Sequence, residues 1–486
     1  MISGIQYLKD SVGFLPFLIL VVSGLIILLG SAETARRESG RYGSGVAIVG
    51  TLLAMFSLYF LYGLKKRALF NDMLIIDNFS LFLTATILIA TLVVILISRN
   101  AIAKDGAEIN EYYMLLLFSS AGMILMVQSI NLIMVFLALE IFSLGIYVLV
   151  GITKQKKVST EASLKYLLLG AFAAAFFLYG LTYIYGATGT LDLIKIAKIV
   201  SEGQVTCNTY LVLGASLVLC GIAFKIALVP FHMWTPDVYE GAPTPITAYM
   251  AVGVKAAAFA VFIRVFGHAL PKFNIEWNTL LWILAVLTMT VGNICALLQD
   301  SLKRLLAYSS IAHAGYIFVA IVAGSQYGYG AILYYLLVYT FMNLGAFGVV
   351  VYVENLLGQK DNIDSFKGFG FRRPVIGLCM AVFLCSLMGL PPTGGFVAKF
   401  AVFSSAIKAG YVWLVIIGVL NSAVAAYYYL KVIVVMYTRS ETAVEVISPK
   451  GSIYNGIGLI ISLAGTLMLG ILPHKVLEIA IKAVSL

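Results

Sequence analysis

Residues 221–264, GIAFKIALVPFHMWTPDVYEGAPTPITAYMAVGVKAAAFAVFIR, set Lys225 and Lys255 inside two apolar runs and place four prolines between them: Pro230, Pro236, Pro243 and Pro245. A proline removes a backbone donor and its ring clashes with the preceding turn, so no continuous helix runs through this stretch. Backbone freed in this way inside a bilayer must face protein or a wet cavity, never lipid. A charged side chain at the bilayer centre costs about 2.5–3.5 kcal/mol on insertion scales. Near a helix end a lysine escapes that cost by snorkelling, but these two sit well inside their runs. A broken helix beside buried lysines is the local pattern of an ion pathway.

The remaining sequence supplies the membrane. Of 486 residues, 61% are hydrophobic and 11% charged, against roughly 45–50% and 25% in soluble domains. The runs are too long for barrel strands, so the expected class is an all-α polytopic membrane protein. A net charge of +10 would suggest nucleic acid in a soluble chain. Here the basic residues gather in short loops, which points to topology and anionic lipid and to no nucleic-acid partner. Cys207, Cys220, Cys295, Cys379 and Cys385 form no CxxC pair, and His232, His268, His313 and His474 are not arranged as haem ligands. With no strand–GxGxxG–helix unit and no P-loop either, no metal and no cofactor is expected in this chain. The opening run lacks a strongly basic start and a clear cleavage site, and is expected to stay as a first helix.

Hydropathy predicts about fourteen spans, near 13–30, 44–63, 79–98, 112–128, 131–151, 162–186, 210–229, 246–268, 278–298, 303–323, 328–356, 375–405, 411–438 and 454–472. Two are irregular. The seventh carries the proline break, and the twelfth, LCSLMGLPPTGGFVAKF, is interrupted by Pro391-Pro392 and Gly394-Gly395 just before Lys399. Pro230 and Pro391 lie 161 residues apart, about five spans. Two broken helices in corresponding positions suggest two five-helix repeats, inverted because five is odd. Sixteen Lys and Arg fall in loops after odd spans, against ten in the other loops and termini. That bias puts the odd loops on the negative side and both termini on the positive, periplasmic side.

Glu140 stands alone in the fifth span, NLIMVFLALEIFSLGIYVLVG. A carboxylate there is expected either to pair in a proton relay or to be protonated and hydrogen-bonded in the bundle. Lys225, Lys255 and Lys399 complete the buried ionisable set. Low dielectric disfavours an ammonium and a nearby carboxylate favours it, so a lysine poised between the two can load and release a proton. His313, in KRLLAYSSIAHAGYIF, and His232, at the first break, each read either as relay imidazoles or as satisfied core histidines. Arg264 and Lys431 are expected to snorkel or pair structurally. Asp300, Lys303 and Arg304 are expected to form a solvated helix end. Asp237 and Glu240 either cap the broken helix or line its mouth.

The pattern KxxxVPFHxWxPDVYxGAPTP, followed by a second lysine, resembles the antiporter-like membrane subunits of respiratory complex I, the proton-pumping NADH:quinone oxidoreductase. The resemblance covers residues 112–438, and MGLPPTGGFVAKF with Lys399 is similar to the N-type of these subunits. It implies a three-helix segment at 1–111, repeats at 112–268 and 269–438, and a C-terminal helix at 439–486. It also implies that Glu140 pairs with Lys225 and that a histidine at 313 serves the relay. The implied partners are other complex I membrane subunits, lipid and protons. NADH, flavin, iron–sulfur clusters and quinone are expected in partner subunits, and the setting in a bacterial inner membrane. A multi-protein sodium/proton antiporter shares the same core and lysines. A passive scaffold is the other reading, and four buried ionisable residues argue against it.

Overall fold

The computed structural model describes residues 12–31, 39–62, 66–99, 101–104, 109–203, 209–270, 277–357, 362–439 and 452–484. Lys9, Arg36, Arg37, Lys65, Lys272, Lys360, Lys450 and Cys207, which entered the charge and cysteine readings, lie outside the described residues, as do both chain ends. The helices are α1 Leu15–Ser31, α2 Ser39–Leu61, α3 Asn78–Ser98, α4 Asn110–Gln128, α5 Leu132–Val150, α6 Lys157–Thr188 and α7 Leu193–Ser201. They continue as α8 Thr209–Ile226, α9 Thr235–Gly241, α10 Thr244–Ala269, α11 Asn278–Leu297, α12 Leu302–Ala323 and α13 Gln326–Leu357. The last are α14 Pro374–Met388, α15 Gly394–Lys408, α16 Val412–Met436, α17 Ile453–Ile471 and α18 Pro473–Val484. Among the described residues twelve helices are long and apolar enough to cross a membrane, and α1 and α14 are shorter apolar helices. The helical membrane fold is the one expected.

Burial sorts the helices into a centre and a rim. Helix α10 is buried throughout, α12 nearly so, and α13 mostly. Helices α6 and α16 turn large apolar residues outward, among them Phe172, Tyr179, Val419 and Tyr427. With no water to compensate it, backbone in the centre must be paired within the protein. That requirement explains how the two breaks are built.

Helix α8 stops at Ile226, and the chain runs irregularly to α9. Leu228 N donates to Ala223 O, Val229 N to Thr288 Oγ1 of α11, and the Trp234 indole N–H to Phe224 O, at 2.9, 3.0 and 3.0 Å. The second break falls between α14 and α15. Gly389 takes φ +93°, a left-handed conformation that suits glycine, and its N–H closes α14 onto Cys385 O. Gly395 N donates to Ser386 Oγ at 3.1 Å. The peptide bonds Val229–Pro230 and Pro391–Pro392 are cis.

Gly395 also permits close approach, since a Cβ there would lie 1.8 Å from Ser386 O. Gly395→Ala is therefore expected to push α15 away from the end of α14. The cost should reach about 3 kcal/mol, the upper range for overpacking, because backbone rather than a flexible side chain must yield. A thermal midpoint of the assembled protein equal to wild type would contradict this.

Two elements were not foreseen. A hairpin of β1 Arg67–Leu69 and β2 Leu74–Ile76 precedes α3, paired antiparallel with Ala68 opposite Ile75. Its strands of three residues are too short for a periodic signal. Helix α18 follows α17 and is amphipathic, with Glu478 bonded to Lys482 one turn on.

Candidate proton-transfer site

Lys225 lies in the last turn of α8 and Lys399 just past the second break, on α15. Both thus sit where a break leaves helix carbonyls short of partners, a place that favours a cation. Lys399 Nζ reaches back across its break to Met388 O, the last residue of α14, at 2.9 Å. It also meets Ser422 Oγ of α16 at 3.4 Å and stands 4.5 Å over the Tyr316 ring. Lys225, Lys255 and Lys399 are 1, 2 and 6% exposed, so all three are inside the protein rather than snorkelling.

Lys255 projects from the middle of α10, just after a π-helical segment, Met250–Val254. Its ammonium donates to the backbone oxygen of Ser310 and, at 2.6 Å, to Ser310 Oγ on α12. His313 is one turn further along α12. Its Nδ1 lies 2.6 Å from the Tyr335 hydroxyl of α13 and its Nε2 3.2 Å from the Tyr429 hydroxyl of α16. Both ring nitrogens are thus engaged, and an imidazole held at both ends can accept on one side and donate on the other. Tyr429 also bonds Ser309, and its ring packs 4.4 Å from that of Tyr428. Tyr428 donates to Asn293 Oδ1 at 3.0 Å, and Asn293 Nδ2 donates to the Tyr316 hydroxyl at 3.0 Å. Side-chain contacts, some hydrogen-bonded and some between rings, thus run from His313 through Tyr429, Tyr428, Asn293 and the Tyr316 ring to Lys399, across α12, α16, α11 and α15, while Lys255 sits on Ser310 one turn before His313.

Lys225 stands apart from this series. It donates to Ser143 Oγ of α5 at 2.8 Å and lies 5.3–5.8 Å from the ring centres of Tyr166, Phe142, Tyr147 and Phe224. The ammonium is held by a hydroxyl and four ring faces. The expected Glu140–Lys225 ion pair is not formed. Glu140 is one turn before Ser143 on α5, half-buried, beside the outward residues Leu137, Ile141 and Leu144, and its Oε1 is buried without a hydrogen-bond partner. The ammonium sits on Ser143 and among the rings instead, with Glu140 still within electrostatic reach but outside ion-pair distance. His232 lies half-buried at the first break with Nδ1 unpartnered. Among the described residues no hydrogen bond joins it to the Lys255–His313 series.

Lys303 and Arg304 correct another expectation, since they do not make a solvated helix end. Lys303 is buried and donates to Glu240 O and Ala242 O at 2.8 and 2.9 Å. Arg304 bonds Asp237 and Glu240 at 3.0 and 2.6 Å, and Lys165 pairs with Asp237. Together they clamp α9 and the turn into α10. A cleft of about 480 Å³ opens at that turn, lined by Lys156, Ser159, Glu240, Thr244, Lys303 and Glu354. Lys431 lies 3.7 Å from Asp300 at the exposed surface. Arg264 is paired, bonding Asp77 through both terminal nitrogens at 3.2 and 3.0 Å and Val127 O through Nε.

Sequence reasoning singled out the lysines and His313 because each is an anomaly in an apolar run. It missed Ser143, Asn293, Tyr316, Tyr335, Tyr428 and Tyr429, which carry no charge and do not interrupt hydropathy. The YYYL run at 427–430 was the available signal.

The family model described as NADH:quinone oxidoreductase/Mrp antiporter, TM, matches residues 129–425. A protein named NADH-quinone oxidoreductase subunit N, from Trichlorobacter lovleyi, is 45% identical over 473 residues, covering 97% of this chain and 96% of the relative. NADH-quinone oxidoreductase subunit N 1 from Solibacter usitatus is 41% identical over 481 residues, 98% of each. A chain of respiratory complex I from Thermus thermophilus with bound aureothin matches with a TM-score of 0.81 at 35% identity, over 95% of this chain and 98% of that one. The residues that form both breaks, and Lys225, Lys255, His313 and Lys399, fall inside the matched segment, and the chain belongs to the NADH:quinone oxidoreductase/Mrp antiporter transmembrane family.

Proposed function

We propose that this chain is the N-type antiporter-like subunit of a bacterial proton-pumping NADH:quinone oxidoreductase, and that it carries protons through Lys225, Lys255, His313 and Lys399. The observation that carries the reading is the set of three lysines, each at most 6% exposed, with the buried His313 within electrostatic reach of Lys255 and Lys399. Burial of that kind is expensive and is otherwise found at ion pathways. On this reading the two breaks are the pseudo-equivalent centres of two inverted repeats. The flavin, clusters and quinone belong to partner subunits, and both termini lie on the periplasmic side of the inner membrane.

The chemistry follows from what each group can do. Lys225 receives a proton beside Glu140 and Ser143. Lys255 holds the next proton against Ser310. His313 passes it between Tyr335 and Tyr429, and Lys399 holds it beside the second break. A move of Glu140 or Lys225 that brings the carboxylate to the ammonium stabilises the charged form, and separation releases it.

Lys255→Met keeps the side chain's length and apolar stem while removing the titratable group. Proton pumping by the assembled complex in membrane vesicles is expected to fall about 10²-fold, the low end of what a positioned acid–base group contributes. Wild-type pumping in this variant would overturn the proposal.

A further inference from the structure

The contacts between His313 and Lys399 include one hydrogen-bonded stretch, Tyr428–Asn293–Tyr316, whose middle group cannot pass a proton. Asn293 is fully buried on α11. Its Nδ2 lies 2.7 Å from Met289 O, an acceptor of its own helix, which sets the orientation of the amide. The same nitrogen donates to the Tyr316 hydroxyl at 3.0 Å and lies 3.3 Å from Asn421 Oδ1. The carbonyl, Oδ1, then faces Tyr428 and accepts from it at 3.0 Å. Asn421 is fixed in turn, its own Nδ2 on Ile417 O and Thr290 Oγ1 at 3.0 and 3.3 Å.

A hydroxyl or an imidazole relays a proton by accepting one and giving up another, and returns to a stable form. A carboxamide that accepts a proton at Oδ1 and gives one up from Nδ2 is left as an imidic acid, a high-energy tautomer. The contact Tyr428–Asn293–Tyr316 therefore joins the two tyrosines mechanically and interrupts them protonically.

We infer that Asn293 is an insulating link, a positioning residue that holds Tyr428 and Tyr316 in place while preventing a proton from running directly between the His313 and Lys399 sides. This inference rests on the relay reading above. It assigns that relay a closed resting state, so that transfer between the two sides waits for a rearrangement around Lys399 rather than running continuously. The need is physical, because a relay connected from end to end at all times would dissipate the gradient that it builds.

The test replaces the amide with groups of similar size in the complete complex, in sealed vesicles. Asn293→Asp supplies a carboxyl that, in its neutral form, accepts from Tyr428 and can donate to Tyr316, so it can relay. With turnover stopped, the decay of an imposed pH gradient is expected to quicken several-fold in Asn293→Asp, and protons pumped per NADH should fall. Asn293→Leu, which fills the site but relays nothing, should show no faster decay. Asn293→Ser, whose hydroxyl can relay, serves if the aspartate variant fails to assemble, and should leak in the same sense. Equal leak in Asn293→Leu would mean a packing defect, and no leak in any assembled variant would mean that the amide insulates nothing. Either result overturns the inference. Adding Lys255→Met to Asn293→Asp should abolish the extra leak. Wild-type pumping in Lys255→Met alone would instead bring down the relay reading, a distinct outcome.

Discussion

Lys225→Met is expected to lower proton pumping by the assembled complex about 10²-fold, and Glu140→Ala added to it should cost little more. The first expectation follows from the seat of Lys225. Lys225 is 1% exposed, with Ser143 Oγ as its hydrogen-bond acceptor among the described residues. A positioned acid–base group contributes roughly 10²–10⁴ to proton transfer, so its loss should fall in that range. The second follows from the placement of Glu140 one turn away on α5, close enough to meet Lys225 after a side-chain move but not paired with it in this structure. If the carboxylate acts only by drawing the ammonium off Ser143, removing it matters only while the lysine is present. The double variant then resembles Lys225→Met, whereas independent groups would give additive losses. Ser143→Ala should act on the other side of the same balance. It leaves the buried ammonium without its hydroxyl at a cost of about 1–3 kcal/mol, which should weaken proton loading. Additive losses for Glu140→Ala and Lys225→Met would show that the two residues serve separate steps.

Arg264→Met is expected to destabilise the folded subunit by about 3–5 kcal/mol, the cost of leaving a buried charge without its partner. Arg264 and Asp77 are each 7% exposed at the side chain and joined by two hydrogen bonds. Asp77 has a second task. It caps α3, accepting from Ser80 N at 2.8 Å while Ser80 Oγ accepts from Asp77 N. An asparagine caps nearly as well as an aspartate and carries no charge. Asp77→Asn combined with Arg264→Met should therefore recover most of the loss, with a residue of about 1 kcal/mol for the missing bond from Arg264 Nε to Val127 O. The thermal midpoint of the detergent-solubilised complex reads both. A double variant no more stable than Arg264→Met would mean that the arginine's packing, rather than the uncompensated carboxylate, is what matters.

The local features of the fold were legible in the sequence because their causes are local. Proline lacks an N–H wherever it stands, so the breaks at Pro230 and Pro391 could be placed before any helix was packed. A lysine inside an apolar run is costly whatever surrounds it, so Lys225, Lys255 and Lys399 stood out by position alone. The side chains that answer those lysines are a different matter. Lys255 and Ser310 are 55 residues apart, Lys225 and Ser143 82, and Tyr428 and Asn293 135. Such pairings depend on which helix faces which and at what rotation, and no periodicity within one helix carries that information. Glu140 shows the limit. Its charge made it conspicuous, yet the rings of Phe142, Tyr147, Tyr166 and Phe224, brought together from three helices, gave Lys225 another seat. Lys303 and Arg304 show it again, since a basic pair at a helix start reads as solvated until packing carries α9 onto it. The sequence alone determined that the chain is a bundle of membrane helices with two interruptions and a few buried charges. Tertiary structure decided how those charges are solvated and which side chains meet them, because a long polar side chain takes whichever partner packing brings within about 3 Å.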